Sequence, residues 1–557
     1  MNKLIQVSIF LSFIFIKTNA QVAAWEWAKT ATCSHSCSVY GLSKTLASDA
    51  SGNFYLAQLF KDTITFGAFT LTGDTIPGDT LSLYITKYNS SGNVIWAKKY
   101  GDLDIYELTD ITTNALGNIF ITGYFNSSIA TFGTDTLINS GSENTFLVKI
   151  DSSGNILWAK SGGGTGSGAA YNVSADINGN SYITGIFSSP TFIFGTDTLT
   201  NIGTSNIFLA KYDSNGNVIW AKSAGGTVYD NLGTCSAIDS YGNICIAGAF
   251  YSAAAYFGSD SIINQNPGSY NIFIAKYDSG GNVIWAKAPS GFQNWPREIA
   301  SDPFGNIVMT GEFGSSLTFD SITIVAAGFQ SYFLVKYDSE GNVIWANTQS
   351  GGNNDNSDGY GLAVDALGNA YVIGEFDDGS IFFGSIGLPP MINDYFPMYI
   401  AKFDSSGHAV YAFELPANIS GVAIGNQPGT VYIGGNFGTT NLIIGHDTLI
   451  PSGLGPPYVA KIGNSNVGIP SIELLQNVYL FPNPNSGNFI LHYHLNSTFK
   501  TSFQVTDITG RIVYNTMING YEGTQVISVP DLCNGIYYWQ LLSENGIEGK
   551  GKIAVIK

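Results

Sequence analysis

Charge is scarce in this 557-residue chain: Asp, Glu, Lys and Arg make up 11% of it, against roughly 25% in an average soluble protein. Arginine is nearly missing, with only Arg297 and Arg511. The formal balance is −18, so the Lys/Arg surface that neutralises phosphates is lacking, which argues against nucleic-acid binding. Cysteine and histidine number five each, and no spacing among them makes a zinc site. There is no G-x-S-x-G elbow and no P-loop. Glycine is abundant, with 66 residues, as are aromatics, with 35 Phe, 31 Tyr and 9 Trp. Low charge with many aromatics excludes disorder and does not fit a coiled coil. The length exceeds one ordinary core, so several domains or a repeat architecture is expected.

Residues 1–20, MNKLIQVSIFLSFIFIKTNA, combine a Lys3 start, an apolar run from Leu4 to Ile16 and small residues ending at Ala20. This pattern is a secretory signal peptide cleaved after Ala20. Its apolar run is shorter than the ~20 residues of a membrane span, and no later segment is expected to cross a bilayer once it is removed. Export permits disulfides. Cys33 and Cys37 can close a small loop, Cys235 and Cys245 can pair across a tight turn, and Cys533 is left over. The alternative is that some are small buried residues.

One unit recurs through the middle of the chain. The string KYDSSGNVIWAK places an aromatic at Trp27, Trp96, Trp158, Trp220, Trp285, Trp345 and Tyr411. A second string, as in GNSYITGIF, ends at Phe60, Phe125, Phe187, Phe250, Phe313, Phe376 and Phe437. A third slot holds Lys87, Lys149, Lys211, Lys276, Lys336, Lys402 and Lys461. Each unit parses into four short strands with Gly-Asn turns, which supply positive φ, and an extra FGTDTL hairpin. Antiparallel four-stranded units at constant spacing predict an all-β, seven-bladed β-propeller over 21–463. The seventh unit lacks a fourth strand after Pro457–Asn464, and Ala24–Lys29 is a strand without a unit. The N-terminal strand is therefore expected to close the ring and cover an edge. A β-solenoid is the alternative.

ADINGNSYITGIF and AVDALGNAYVIGEF resemble the SBBP β-propeller repeat family, over about residues 24–463. That resemblance implies a propeller and no particular chemistry. After a linker at 464–471, residues 472–557 alternate apolar and polar in short strands, as expected for a small Ig-like β-sandwich. The blocks LFPNPNSGNF, VTDITGRIVY, LCNGIYYWQL and KGKIAVIK resemble the C-terminal type A sorting domain of type IX secretion cargo. Pro482, Asn483, Pro484, Gly510, Gly535 and Tyr537 carry the motif. The resemblance implies the type IX secretion machinery as a partner and a secreted or outer-surface location.

Short Gly-Asn turns share one face of the expected propeller and variable loops share the other, where binding residues should collect. The turn residues Asp49, Asn114, Asp176, Asp239, Asp302, Asp365 and Asn426 form a ring. It is read as Asx turns bonding their own backbone rather than as a cation site. The repeat lysines are read as structural, in exposed pairs with acids two residues on, worth about 0–1 kcal/mol. Departures from the repeat are more informative. The loop leading into blade five, GFQNWPRE, carries Trp295, Arg297 and Glu298, and Glu312 precedes the repeat Phe. Blade six has Asp355 and Asp358, then Glu375, Asp377 and Asp378. An aromatic beside carboxylates and an arginine suits sugar binding, and two carboxylates can also run acid–base hydrolysis. Neutral drift in surface loops is the plainer alternative. DNSDG gives only a weak Ca2+ signal, so no cofactor is expected. The expected function is a non-enzymatic exported propeller for binding or adhesion to a glycan or protein ligand. A glycosidase or polysaccharide lyase using the blade five and six carboxylates is the alternative.

Overall fold

The computed structural model describes residues 22–557 except 35–43, 74–80, 101–104, 229, 352–355, 378–379, 390–396, 466–477, 482–486, 495–500, 508–510, 519–521, 544–545 and 556. Ala20, Cys37, Asp355, Asp378, Pro482, Asn483, Pro484 and Gly510 thus lie outside the described residues. The chain divides into Ala23–Asn464 and a unit containing Ser465–Lys557. Among the described residues every regular element is a strand.

The larger unit repeats one antiparallel pattern. The first sheet runs Leu46–Ser48, Phe54–Phe60, Ser82–Tyr88, Val94–Tyr100. The fifth runs Ser290–Ser301, Ile307–Phe319, Ser331–Tyr337, Val343–Thr348, and the sixth Ser357–Val364, Ala370–Phe376, Met398–Phe403, Ala409–Leu415. The second, third and fourth sheets, which start at Ile105–Thr113, Gly168–Ala175 and Asp230–Ile238, follow the same order. A seventh sheet begins at Asn418–Ile424, continues through Val431–Asn436 and Pro457–Ser465, and takes Val22–Thr30 as its fourth strand. First strands neighbour one another from sheet to sheet, and Asn418–Ile424 also packs against Leu46–Ser48.

The middle strands are buried along most of their length, and entirely in Phe54–Phe60 and Ile244–Phe250, because sheets stack on both of their faces. The repeat phenylalanines from Phe60 to Phe437 are all buried. Two of the FGTDTL-type hairpins pair with the outer strand of the preceding sheet: Thr191–Phe194 with Ile156–Gly164, and Ala254–Phe257 with Val218–Gly225. That covers an edge that would otherwise present free backbone groups.

The repeat lysines are not exposed pairs. Lys87, Lys149, Lys211, Lys276 and Lys336 are buried. Each reaches into the next sheet and donates to the carbonyl of Ser152, Ser214, Ser279, Ser339 or Ser405, at 2.8–3.4 Å. Trp96, Trp158, Trp220, Trp285 and Trp345 donate Nε1–H to those same carbonyls. The indoles of Trp158, Trp220, Trp285 and Trp345 lie over Gly216, Gly281, Gly341 and Gly407, where φ is positive and a Cβ would not fit. Trp27 lies over Gly92 in the same way, so the N-terminal strand meets the first sheet as a fourth strand does. The turn aspartates accept from their own backbone, as Asp302 does from the N–H groups of Phe304 and Asn306 at 2.9 Å.

Of the two readings of Cys235 and Cys245, a bridge or small buried residues, the structure shows the second: both are free and buried. Cys235 faces Ala247 and Cys245 faces Ala237 across the ladder, so the two sit diagonally, beyond the reach of directly opposed residues. Cys33 is disulfide-bonded. In the smaller unit a three-stranded and a four-stranded sheet enclose one core containing Phe489, Leu491, Phe503 and Trp539. Gly535 opens the strand Gly535–Ser543, and the Tyr537 hydroxyl donates to the Cys533 carbonyl at 3.1 Å.

Candidate functional site

A local feature of the repeat builds a cavity. The second strand of every unit but the first carries a glycine two residues before its Phe, and at Gly123, Gly185, Gly311, Gly374 and Gly435 a Cβ would come within 1.8–2.1 Å of a first-strand carbonyl oxygen. Glycine therefore lets the first strand approach and bulge. The register shifts between Thr122 and Gly123, Ala170 and Asn172, Pro296 and Glu298, and Gly359 and Gly361. A bulge sets two residues against one partner and re-aims their side chains. The extra residues Thr109, Tyr171, Arg297 and Tyr360, together with Asp110, Asn172, Glu298 and Gly361 that follow them, line one cavity of about 630 Å³. Lys44, just before the strand Leu46–Ser48, and Cys235 of the fourth sheet join them.

Two clusters of charged groups adjoin this space. On the fifth and sixth sheets Arg297 lies 2.9 Å from Glu312 and 3.6 Å from Asp358, and 5.5 Å from the centre of the Tyr360 ring. Gln330 Nε2 donates to Glu312 at 2.6 Å and to Asp358 at 3.0 Å, and the Tyr360 hydroxyl donates to Glu375 at 2.5 Å. Burial pushes the Glu312 carboxyl up to about 8; Asp358 adds to the rise and Arg297 opposes it. Burial also raises Glu375. In the second cluster Lys44 stands 3.9 Å from Glu298. Asp110 accepts backbone N–H groups from Ile111 and Val173 at 2.8 Å. Burial lifts its carboxyl to about 7, with Lys44 pulling down and Glu298 pushing up. Burial raises Glu298 as well, against Lys44, and pushes the Cys235 thiol well above its ordinary range.

The structure thus brings Arg297, Glu298 and Glu375 to the cavity and sets Glu312 and Asp358 behind Arg297. Trp295 does not line it; its ring packs on Tyr270 at 5.8 Å. Asp377 accepts the Asn356 N–H at 3.3 Å and does not line it either. GFQNWPRE is not a loop but part of the strand Ser290–Ser301, because it stays paired with Ile307–Phe319 through its bulges. Asp358 likewise lies in a strand, opposite Glu375. Sequence reasoning missed Lys44, Glu107, Asp110, Tyr171, Asn172 and Tyr360. A fixed offset finds most of them: five and four residues before each turn Asx stand Lys44, Thr109–Asp110, Tyr171–Asn172, Arg297–Glu298 and Tyr360–Gly361. Among the described residues no group of three or more His, Cys, Asp or Glu is arranged to hold a metal.

Residues 479–556 match the secretion system C-terminal sorting domain. The chain is therefore type IX cargo, secreted or carried to the cell surface. No helix among the described residues is long and apolar enough to cross a membrane. The chain is similar to an uncharacterized WD repeat-containing protein of Acanthamoeba polyphaga mimivirus, 26% identical over 434 residues, covering 63% of this chain and 31% of that protein. It is also similar to the regulatory protein FlaEY of Caulobacter vibrioides, 23% identical, covering 47% of this chain and 29% of that one. The chain spans less than a third of the length of these curated relatives. Among solved structures it is similar to an ulvan lyase of a polysaccharide lyase family, at 10% identity and a TM-score of 0.39, covering 76% of this chain and 97% of that one.

Proposed function

We propose that this chain is an exported seven-bladed β-propeller with SBBP-type repeats, closed by its N-terminal strand, whose axial cavity binds a glycan at or beyond the cell surface. The signal peptide is removed after Ala20, and the last unit, an Ig-like sandwich, engages the type IX machinery. The circuit of first strands and the seating of Trp27 over Gly92 support the closed ring. One observation carries the ligand reading: bulges in successive first strands turn tyrosines, charged groups and Asn172 into one cavity of about 630 Å³. That size, with a few convergent polar groups, is typical of a small-molecule site. Hydrolysis or elimination is not the favoured reading, because Glu312 and Asp358 are held by Arg297 and Gln330 rather than facing the cavity.

A glycan array with the full chain tests this, followed by calorimetry on each hit. Tyr171→Ala opens the cavity wall and is expected to weaken binding at least tenfold without changing thermal stability by more than a few degrees. Trp295→Ala is expected to leave binding unchanged. No signal on the array, or equal binding by Tyr171→Ala, would falsify the reading.

A further inference from the structure

Internal repetition allows one part of the cavity wall to be compared with another. On the fifth and sixth sheets the buried carboxylates gather around Arg297. The corresponding place on the second and third sheets has Thr109 at the bulge instead of an arginine. It nevertheless carries two carboxylates, Glu107 and Glu143. Glu143 stands just before its strand as Gln330 does in the fifth unit, and both bridge to the next sheet. The Tyr124 hydroxyl donates to Glu107 Oε2 at 2.5 Å, and the Ser167 hydroxyl donates to Glu143. Neither carboxylate has an ion-pair partner among the described residues, whereas Glu298 faces Lys44, and Glu312 and Asp358 face Arg297. Glu107 and Tyr171 both line the cavity. Glu143 stands behind this wall, held by Ser167, and burial first, then Glu107 and Glu143, push the Tyr171 hydroxyl up to about 12.

A second observation concerns Glu298. It is only 5% exposed and lines the same cavity. Its Oε2 accepts no hydrogen bond among the described residues, and Lys44 Nζ, 3.9 Å from Oε1, donates none. A hydrogen-bond donor entering the cavity would give that oxygen a partner. A hydroxyl that accepts from Lys44 and donates to Glu298 would do so.

We propose that the ligand is an amino-sugar glycan, its ammonium seated by Glu107 and Tyr171 with the Glu143 charge behind them, and its hydroxyls by Lys44 and Glu298. This rests on the glycan reading above and narrows it to one substrate class. An ammonium supplies the cation that this wall lacks and is attracted to tyrosine rings as well as to carboxylates. A uronic acid would bring a further negative charge to the same wall.

Calorimetry on the full chain tests the inference with a glucosamine hexamer, its fully N-acetylated counterpart and spermidine. The glucosamine hexamer is expected to bind at least tenfold tighter than the N-acetylated hexamer. Glu107→Gln should erase that preference and Glu143→Gln should reduce it, and thermal melts report whether each variant is folded. Equal affinity for the two hexamers, or a preference that survives both substitutions, overturns the amine while leaving glycan binding in place. Binding of spermidine without either hexamer overturns the amino-sugar class. Binding of neither hexamer together with an empty glycan array removes both readings.

Discussion

Two adjacent glycines in the seventh unit should respond in opposite ways to the same substitution. Neither Gly434 nor Gly435 has a positive φ, so alanine is conformationally acceptable at both. A Cβ on Gly435 would lie 1.8 Å from the Asn418 carbonyl oxygen and 3.0 Å from the Ile419 Cα. To restore ordinary contact the first strand must retreat by roughly 1 Å or more, which costs about 1–3 kcal/mol as overpacking. Losing a ladder hydrogen bond in the retreat adds about 1 kcal/mol. Gly435→Ala is therefore expected to destabilise the larger unit by about 2–4 kcal/mol. It should also weaken ligand binding, because Asn418 and Ile419 line the cavity. At Gly434 a Cβ would meet only the ends of Leu56 and Leu46, at 3.3 and 3.4 Å, with the nearest backbone oxygen at 3.5 Å. Flexible leucine tips yield at little cost, and alanine lowers the entropy of the unfolded chain by about 0.4–1 kcal/mol. Gly434→Ala should stay within about 1 kcal/mol of the parent. Urea unfolding followed by tryptophan fluorescence, with calorimetric binding alongside, measures both. Equal shifts for the two variants, or a Gly435→Ala midpoint unchanged from the parent, would refute the close-approach account of the bulge.

Thiol titration offers a second check: Cys235 and Cys245 are buried and free while Cys533 is exposed, so one thiol should react promptly in the native chain and three after unfolding without reductant. Fewer than three in the unfolded chain would show a bridge among these cysteines. Acid stability offers a third. Burial pushes Asp239 and Asp302 up, but hydrogen bonds from Lys276 and Lys336, with those from Asn243 and Asn306, outweigh it and hold both below 3.8. The stability they contribute is present above the unfolded value and lost as pH falls through the lower folded value. Asp239→Asn with Asp302→Asn should flatten the fall in urea midpoint below pH ~4; an unchanged slope would contradict the assignment.

Much of the fold was legible because the repeat marks its strands and turns. The Gly-Asn turns, the repeat Phe and the alternating strands foretell an all-β chain of four-stranded units, and the last 80 or so residues carry their sorting signal openly. The site was legible only in part. Arg297, Glu298 and Glu375 stand out as departures from the repeat, yet Trp295, two residues before Arg297, does not line the cavity. A one-residue bulge decides which neighbours share a side, and nothing in GFQNWPRE alone announces it. The repeat lysines were misread for a related reason: Lys211 and Asp213 are near in sequence, but Lys211 bonds to Ser279 of the next sheet.

Sequence by itself determined the local units, because turn chemistry and strand alternation act over a few residues. It also determined export, because the sorting blocks are linear. Only the tertiary structure decided which charges meet. Lys44 faces Glu298, Asp110 bonds Val173, and Glu107 has no ion-pair partner among the described residues. Those outcomes depend on how far glycine lets one backbone approach another and on which sheets stand side by side, and neither distance is written in any single repeat.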